Sequence, residues 1–134
     1  MDKRGAITFL DYKVNKVEFK NNDVYDGEAV DIDFDVSSYC HVSDDGEEMI
    51  VGLNTDIFVP KEGKIYPFYM SIEIEGYFKS HFENREQNIA QYKKNAVAIL
   101  FPYVRALVST FTANANVAPL ILPTVNVNKM LNEE

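Results

Sequence analysis

The sequence has a single cysteine, Cys40, so no disulfide can close within the chain. It has only two histidines, His41 and His81. Cys40 and His41 are neighbours, and neighbours on a strand point to opposite faces, which excludes them as a nucleophile–base pair there. Three Cys or His side chains, two of them adjacent, also fall short of the spaced set that zinc requires. Neither G-x-x-x-x-G-K-S/T nor G-x-G-x-x-G occurs, so no motif supports nucleotide binding. No cofactor, no metal and no catalytic residue is therefore expected. Positive charge is in deficit: 13 Lys and Arg against 21 Asp and Glu leave a net charge of -8. Such a field repels phosphate, which argues against nucleic acid and anionic membrane surfaces as partners. No run approaches the roughly 18 apolar residues that span a bilayer, so no direct membrane insertion is expected. The start, MDKRGAITFLDYK, has too short an apolar run before Asp11 to read as a signal peptide. With one thiol, this points to a reducing cytoplasm.

What the chain does have is apolar surface. Hydrophobic residues make up 46% of it, including nine Phe and eight Tyr. The 134 residues fit one domain, 1–134, and one core. Seventeen aromatic side chains exceed what such a core needs, so some are expected at an interface or in a binding groove.

Residues 6–20 alternate apolar and polar side chains and read as one long strand. Ile7, Phe9, Val17 and Phe19 share one parity, whereas Tyr12 and Val14 take the other. Either a bulge shifts the register or both faces are partly covered. Residues 21–28 are turn chemistry interrupted by Val24 and Tyr25, which either cap the core edge or line a groove. Residues 29–43 predict a strand with Val30, Ile32, Phe34, Val36, Cys40 and Val42 inward. Asp31, Asp33 and Asp35 would then share the outward face. Ser43-Asp44-Asp45-Gly46 predicts a hairpin turn, followed by a strand from about Glu48 to Val59. Lys61-Glu62-Gly63-Lys64 is a second tight turn, and 65–78 the last strand, with Glu73 and Glu75 outward. The pattern thus predicts an α+β protein with a four-stranded antiparallel sheet.

The period changes near Arg85. Ile89, Tyr92, Ala96, Ile99, Leu100, Tyr103, Val104, Leu107 and Phe111 recur at helical spacing. Pro102 falls inside this stretch and predicts a break, giving a short helix near 85–94 and a main helix over 99–113. Residues 114–124 hold two prolines in an extended apolar run, which packs in the core or edges a trough for extended peptide. Residues 125–131 predict a short final helix, and 132–134 a frayed end. The acidic positions Asp31, Asp33, Asp35, Glu73 and Glu75 read as a solvated face or as a dock for a basic partner.

Ala98-Ile99-Leu100-Phe101-Pro102-Tyr103-Val104-Arg105 resembles the N-I-L-F-P-Y-A-R signature of the SecB export chaperones. Val117-Ala118-Pro119-Leu120-Ile121-Leu122-Pro123-Thr124-Val125-Asn126-Val127 is similar to their F-P-x-L-x-L-x-P-V-N-F. Glu75-Gly76-Tyr77-Phe78 resembles their Q-x-G-I-F strand end. The resemblance covers most of residues 6–131. It implies a sheet packed with two C-terminal helices and a homotetramer built as a dimer of dimers. It implies, without nucleotide, binding of unfolded precursor polypeptides in hydrophobic grooves and their delivery to the SecA motor. Client-contacting positions are then expected at Val24, Tyr25, Leu120, Leu122, Val125, Val127, Met130 and Leu131. Assembly positions are expected at Tyr103, Leu107 and Phe111. The sequence departs from the family at Thr124, Pro123 and Val127. It also departs at Lys16, Lys20 and Ser71, where the family places acids that dock SecA; Asp31, Asp33, Asp35, Glu73 and Glu75 are the positions expected to take over that docking in this chain. A chaperone dedicated to one client, such as an antitoxin, is the alternative; a non-chaperone binding module and an enzyme on the same scaffold are the further ones.

Overall fold

A computed structural model describes residues 7–80 and 85–124. Four antiparallel strands form one sheet: β1 (Ile7–Asn21), β2 (Phe34–Val42), β3 (Glu48–Ile57) and β4 (Phe68–Ser80). They lie in the order β1-β4-β3-β2, so β2, β3 and β4 form a meander and β1 returns beside β4. One helix, α1 (Arg85–Asn114), lies across one face.

The split parity of β1 comes from two register shifts, between Phe9 and Asp11 and between Val14 and Lys16. Each extra residue flips the alternation once. Phe9 pairs with Phe78, Tyr12 with Gly76, Val14 with Ile74, Val17 with Ile72 and Phe19 with Met70. All five β1 side chains thereby reach the helix-facing side despite their mixed parity.

The core is the inner face of β3 and β4 against the helix. Met49, Val51, Leu53, Ile57, Met70, Ile72, Ile74 and Phe78 meet Tyr92, Ala96, Val97, Leu100, Val104 and Val108. Gly76 marks the closest approach: a Cβ there would stand 2.6 Å from Leu100 Cδ2 and 2.8 Å from its Cδ1.

The helix continues through Pro102, which corrects the expected break and the expected pair of helices over 85–113. An interior proline costs about 3 kcal/mol. Leu100, Phe101 and Val104 are buried on either side of it, and each buried side chain contributes about 1.5–3 kcal/mol, so tertiary packing outweighs local propensity. The span Ile89–Asn114 also has the length and apolarity of a membrane-crossing helix, with mean hydropathy 1.5. That corrects the expectation that no segment reaches this length. Its buried side chains, among them Tyr92, Ala96, Val97, Leu100, Val104 and Val108, are helix-side members of the core. The final helix expected over 125–131 and the end at 132–134 lie outside the described residues.

Candidate peptide-binding surface

The order β1-β4-β3-β2 places the start and end of the 22–33 connection on opposite edges of the sheet. The connection must cross three inter-strand gaps, about 14 Å. It does so at the end of the sheet where residues 58–67 join β3 to β4. β2 begins only at Phe34, which corrects the strand expected from residue 29. Alternate aspartates favour strand weakly, and here Asp33 bonds to the 58–67 connection instead.

Asn22 fixes one end of this strap. Its backbone N donates to Pro67 O (3.1 Å) and its Nδ2 to Tyr66 O (2.7 Å). Asp33 fixes the other. Its Oδ2 accepts from Lys61 Nζ (2.6 Å) and from Tyr66 Oη (2.6 Å), while its carbonyl accepts from Phe58 N (2.8 Å). The Lys61 hydrogen bond, followed by that of Tyr66, holds the Asp33 carboxyl below its ordinary range. Asp33 in turn pushes the Lys61 ammonium and the Tyr66 hydroxyl up.

Two cavities flank Tyr66. One, of about 580 Å³, is lined by strap residues from Asp26 to Asp33, together with Lys61, Lys64, Ile65 and Tyr66. The other, of about 500 Å³, has an aromatic floor of Phe58, Tyr66, Phe68 and Tyr69, with Pro60 and Lys64 at its wall. Phe58 stacks on Tyr66 at 4.9 Å and meets Phe68 edge-on at 5.2 Å. Around this end Val24 is 79% exposed, Ile65 50% and Ile32 43%. Acidic and basic groups beside apolar walls suit a chain that brings both backbone and apolar side chains.

The expected site residues separate into groups. Val24 and Tyr25 lie on the strap, and Asp31 and Asp33 line its larger cavity. Leu120 and Leu122 are buried, which corrects their place in an exposed trough: within one subunit they are core. Their backbone is gripped by the helix, with Arg105 Nε donating to Leu122 O (3.0 Å). Thr112 Oγ1 accepts from Leu120 N (2.9 Å). Only Ile121 between them faces out, at 69% exposure. Val125, Val127, Met130 and Leu131 lie outside the described residues.

Tyr103, Leu107 and Phe111 stand one above another and face β1. Tyr103 stacks on Tyr12 at 4.2 Å and Phe111 meets Phe19 at 5.1 Å. Val17, Met70, Leu107 and Phe111 line an apolar hollow of about 230 Å³. The neighbouring Val14, Val17 and Phe111 remain about two-fifths exposed.

Asp31, Asp33, Asp35, Glu73 and Glu75 do not make one acidic face. Asp33 is engaged by Lys61, and β1 places lysines beside the β4 acids: Lys13 pairs with Glu75 and Lys16 with Glu73. One row crosses the whole outer face, Lys13, Glu75, Gly52 and Tyr39. The Tyr39 ring lies over Gly52, 2.1 Å from where a Cβ would stand. Asn15 Nδ2 donates to Glu75 Oε1 (2.5 Å), and Lys13 Nζ lies 3.8 Å from the same oxygen. Asn15 first, then Tyr39 and Lys13, hold the Glu75 carboxyl below its ordinary range. Burial pushes the Cys40 thiol up. Among the described residues no three His, Cys, Asp or Glu side chains gather as metal ligands.

Phe58, Lys61, Lys64, Ile65 and Tyr66 were not foreseen as site residues. Their signal was a turn whose flanking apolar residues stand next to Pro60 and Pro67 in the sequence, where a plain hairpin needs none.

A Greek-key-like sheet with one long helix on its inner face and a strap crossing its end, with a cavity on either side of Tyr66, defines a SecB-like α+β scaffold. Residues 17–134 match the family described as "SecB: Preprotein translocase subunit SecB". The chain belongs to the SecB family. It is 36% identical over 132 residues to an uncharacterised protein of Methanocaldococcus jannaschii, MJ0357, covering 94% of this chain and 83% of that one. Its fold is similar to that of the Mycobacterium tuberculosis SecB-like chaperone Rv1957, solved in complex with a ChAD peptide from the antitoxin Rv1956 HigA1. That match has TM-score 0.75 and 14% identity, over 90% of this chain and 91% of that one. It is also similar in fold to a Streptococcus agalactiae protein of unknown function, with TM-score 0.55 and 13% identity, over 88% of this chain and 97% of that one.

Proposed function

We propose that the protein is an ATP-independent cytoplasmic holdase that binds unfolded polypeptides, its client surface lying at the strap end of the sheet. The observation that carries this reading is the pair of cavities that meet at Tyr66, the smaller with an aromatic floor and the larger lined by exposed Ile32 and Ile65. Large rigid rings bind apolar side chains at low entropy cost. Val125, Val127, Met130 and Leu131 are assigned to client contact on the sequence pattern alone. The apolar margin of Val14, Val17, Leu107 and Phe111 is covered by a second copy, in keeping with a homotetramer. Several grooves on one particle multiply weak local contacts. In the export reading the clients are precursors bound for SecA.

A second reading narrows the client to one protein. It is favoured by the antitoxin peptide held by the structural relative, and by Lys16 beside Glu73, which leaves the outer face mixed in charge.

The test is light scattering from a denatured, slowly folding client diluted into the protein without ATP. Suppression at one tetramer per client is expected. Full aggregation at that ratio refutes the holdase reading. Recovery of one bound protein instead of many from cells selects the dedicated reading, and direct SecA binding selects export.

A further inference from the structure

Among the described residues, the strap's hydrogen bonds to the rest of the fold are made where it starts and where it ends, and between them Val30 packs against the core. Within it the hydrogen bonds are local: Val24 N to Asn22 Oδ1 (3.1 Å), Tyr25 N to Asn22 O (3.2 Å), Glu28 N to Asp26 Oδ1 (3.0 Å) and Tyr25 Oη to Glu28 O. Among the described residues, the bonds that tie it to the sheet come from Asn22 and Asp33. The Asn22 end grips backbone atoms of Tyr66 and Pro67 beside the start of β4. At the Asp33 end, one carboxylate oxygen takes both donors, Lys61 Nζ and Tyr66 Oη. Both partners sit on the surface connection 58–67, outside the ladder.

That connection is itself held in an unfavourable shape. Phe58 has φ 55°, a left-handed conformation in which a bulky L-residue is a true outlier. Such strain persists only where the surroundings over-determine it. Here those surroundings are the Asp33 carbonyl on the Phe58 N–H and the Tyr66 and Phe68 rings on its buried side chain. The strain and the latch therefore meet at the same two residues. Tyr66 and Lys64 are also the walls common to both cavities.

We propose that Asp33, Lys61 and Tyr66 form a release latch for the strap, and that opening it merges the two cavities into one trough able to take an extended chain. The proposal rests on the polypeptide-binding reading for its use, though not for the latch itself. Closed, Tyr66 partitions the site and the strap covers its apolar wall. Open, the Tyr66 hydroxyl loses its acceptor, and the ring edge that separates the two cavities can shift away from the strap. A static brace would gain nothing from placing strain where the strap is tied down.

The test compares the full-length protein with Lys61→Met, Tyr66→Phe and the double variant. Chymotrypsin cleavage after Tyr25 under native conditions reads strap opening, because cleavage tracks the open population. Each single variant is expected to speed it about fivefold, and the double variant more than tenfold, as the loss of one and of two charge-assisted contacts, the Lys61 one exposed and the Tyr66 one half-buried. Core cleavage is expected to stay at the wild-type rate. Association with a permanently unfolded client, reduced carboxymethylated α-lactalbumin, is expected to accelerate several-fold in the double variant. Unchanged Tyr25 cleavage overturns the latch, as does equal acceleration of core cleavage. Faster cleavage with unchanged client association overturns the gating of the trough. No client binding by any form, with Tyr25 cleavage accelerated, sinks the polypeptide-binding reading and leaves the latch standing.

Discussion

Gly76→Ala offers the sharpest check on how the helix is seated. Gly76 is buried on the inner face of β4, beneath Leu100. A Cβ placed there meets Leu100 Cδ2 at 2.6 Å, Leu100 Cδ1 at 2.8 Å and Phe78 Cε2 at 2.9 Å. All three fall well inside carbon–carbon contact distance. Leu100 and Phe78 are themselves buried, so neither can swing into solvent. Overpacking of this kind costs about 1–3 kcal/mol. Replacing glycine with alanine in a strand returns about 0.5–1 kcal/mol of backbone entropy. The clash wins, leaving a net loss of about 1–2 kcal/mol, or several degrees in Tm for a domain of this size. Leu100→Ala alone should cost about 2–5 kcal/mol through its cavity. In the Gly76→Ala background it should cost at least 1 kcal/mol less, because the new methyl occupies part of the space. Urea denaturation of the four proteins closes the cycle. A stabilised Gly76→Ala variant, or strictly additive effects, would refute the close approach of α1 to β4.

Thr55 is fully buried on the inner face of β3, and its Oγ1 has no hydrogen-bond partner among the described residues. Thr55→Val should therefore stabilise the fold by about 1 kcal/mol in the same denaturation assay; destabilisation would point to a partner for that hydroxyl. Leu122→Ala should cost about 2–5 kcal/mol while Ile121→Ala stays within about 0.5 kcal/mol, since the first is buried and the second exposed. Equal effects would place both in the same environment. Phe111→Asp, with Val17 at the same apolar margin, should lower the mass seen by sedimentation; an unchanged mass removes this face from the assembly. The Asp33 and Glu75 carboxyls both titrate below their ordinary values of 3.8 and 4.5. Their contribution is thus complete above those values and is lost as pH falls through the lower folded values. Stability should decline on acidification below about pH 4.5, and Glu75→Gln should flatten part of that decline. An unaltered pH profile in the variant would dissociate Glu75 from the outer-face network.

Strands β2 to β4 were legible because their alternation is strict, and Met49, Val51, Leu53, Ile72 and Ile74 are in the core as their parity demands. β1 was legible only as a contradiction, which Leu10 and Asn15 resolve by being the extra residues at two bulges. The family signature around Pro102 was readable. The unbroken helix was not, because it depends on burial of Leu100, Phe101 and Val104 against strands distant in sequence. The strap's hold on the sheet was also hidden. Asp33 looked like one more outward aspartate, and nothing local says that Lys61 and Tyr66, some thirty residues on, converge on one of its oxygens. Leu120 and Leu122 misled for the same reason: an apolar, proline-punctuated run is equally suited to lining a trough and to closing a core.

The claim that clients bind at the strap end is best tested by site-specific photo-crosslinking. A photoreactive residue at Ile65, on the wall of the larger cavity, should capture an unfolded client in high yield. The same residue at His41, on the outer face, should capture little. Crosslinking from position 41 that equals or exceeds that from position 65 would contradict the assignment of the client surface to the strap and its two cavities.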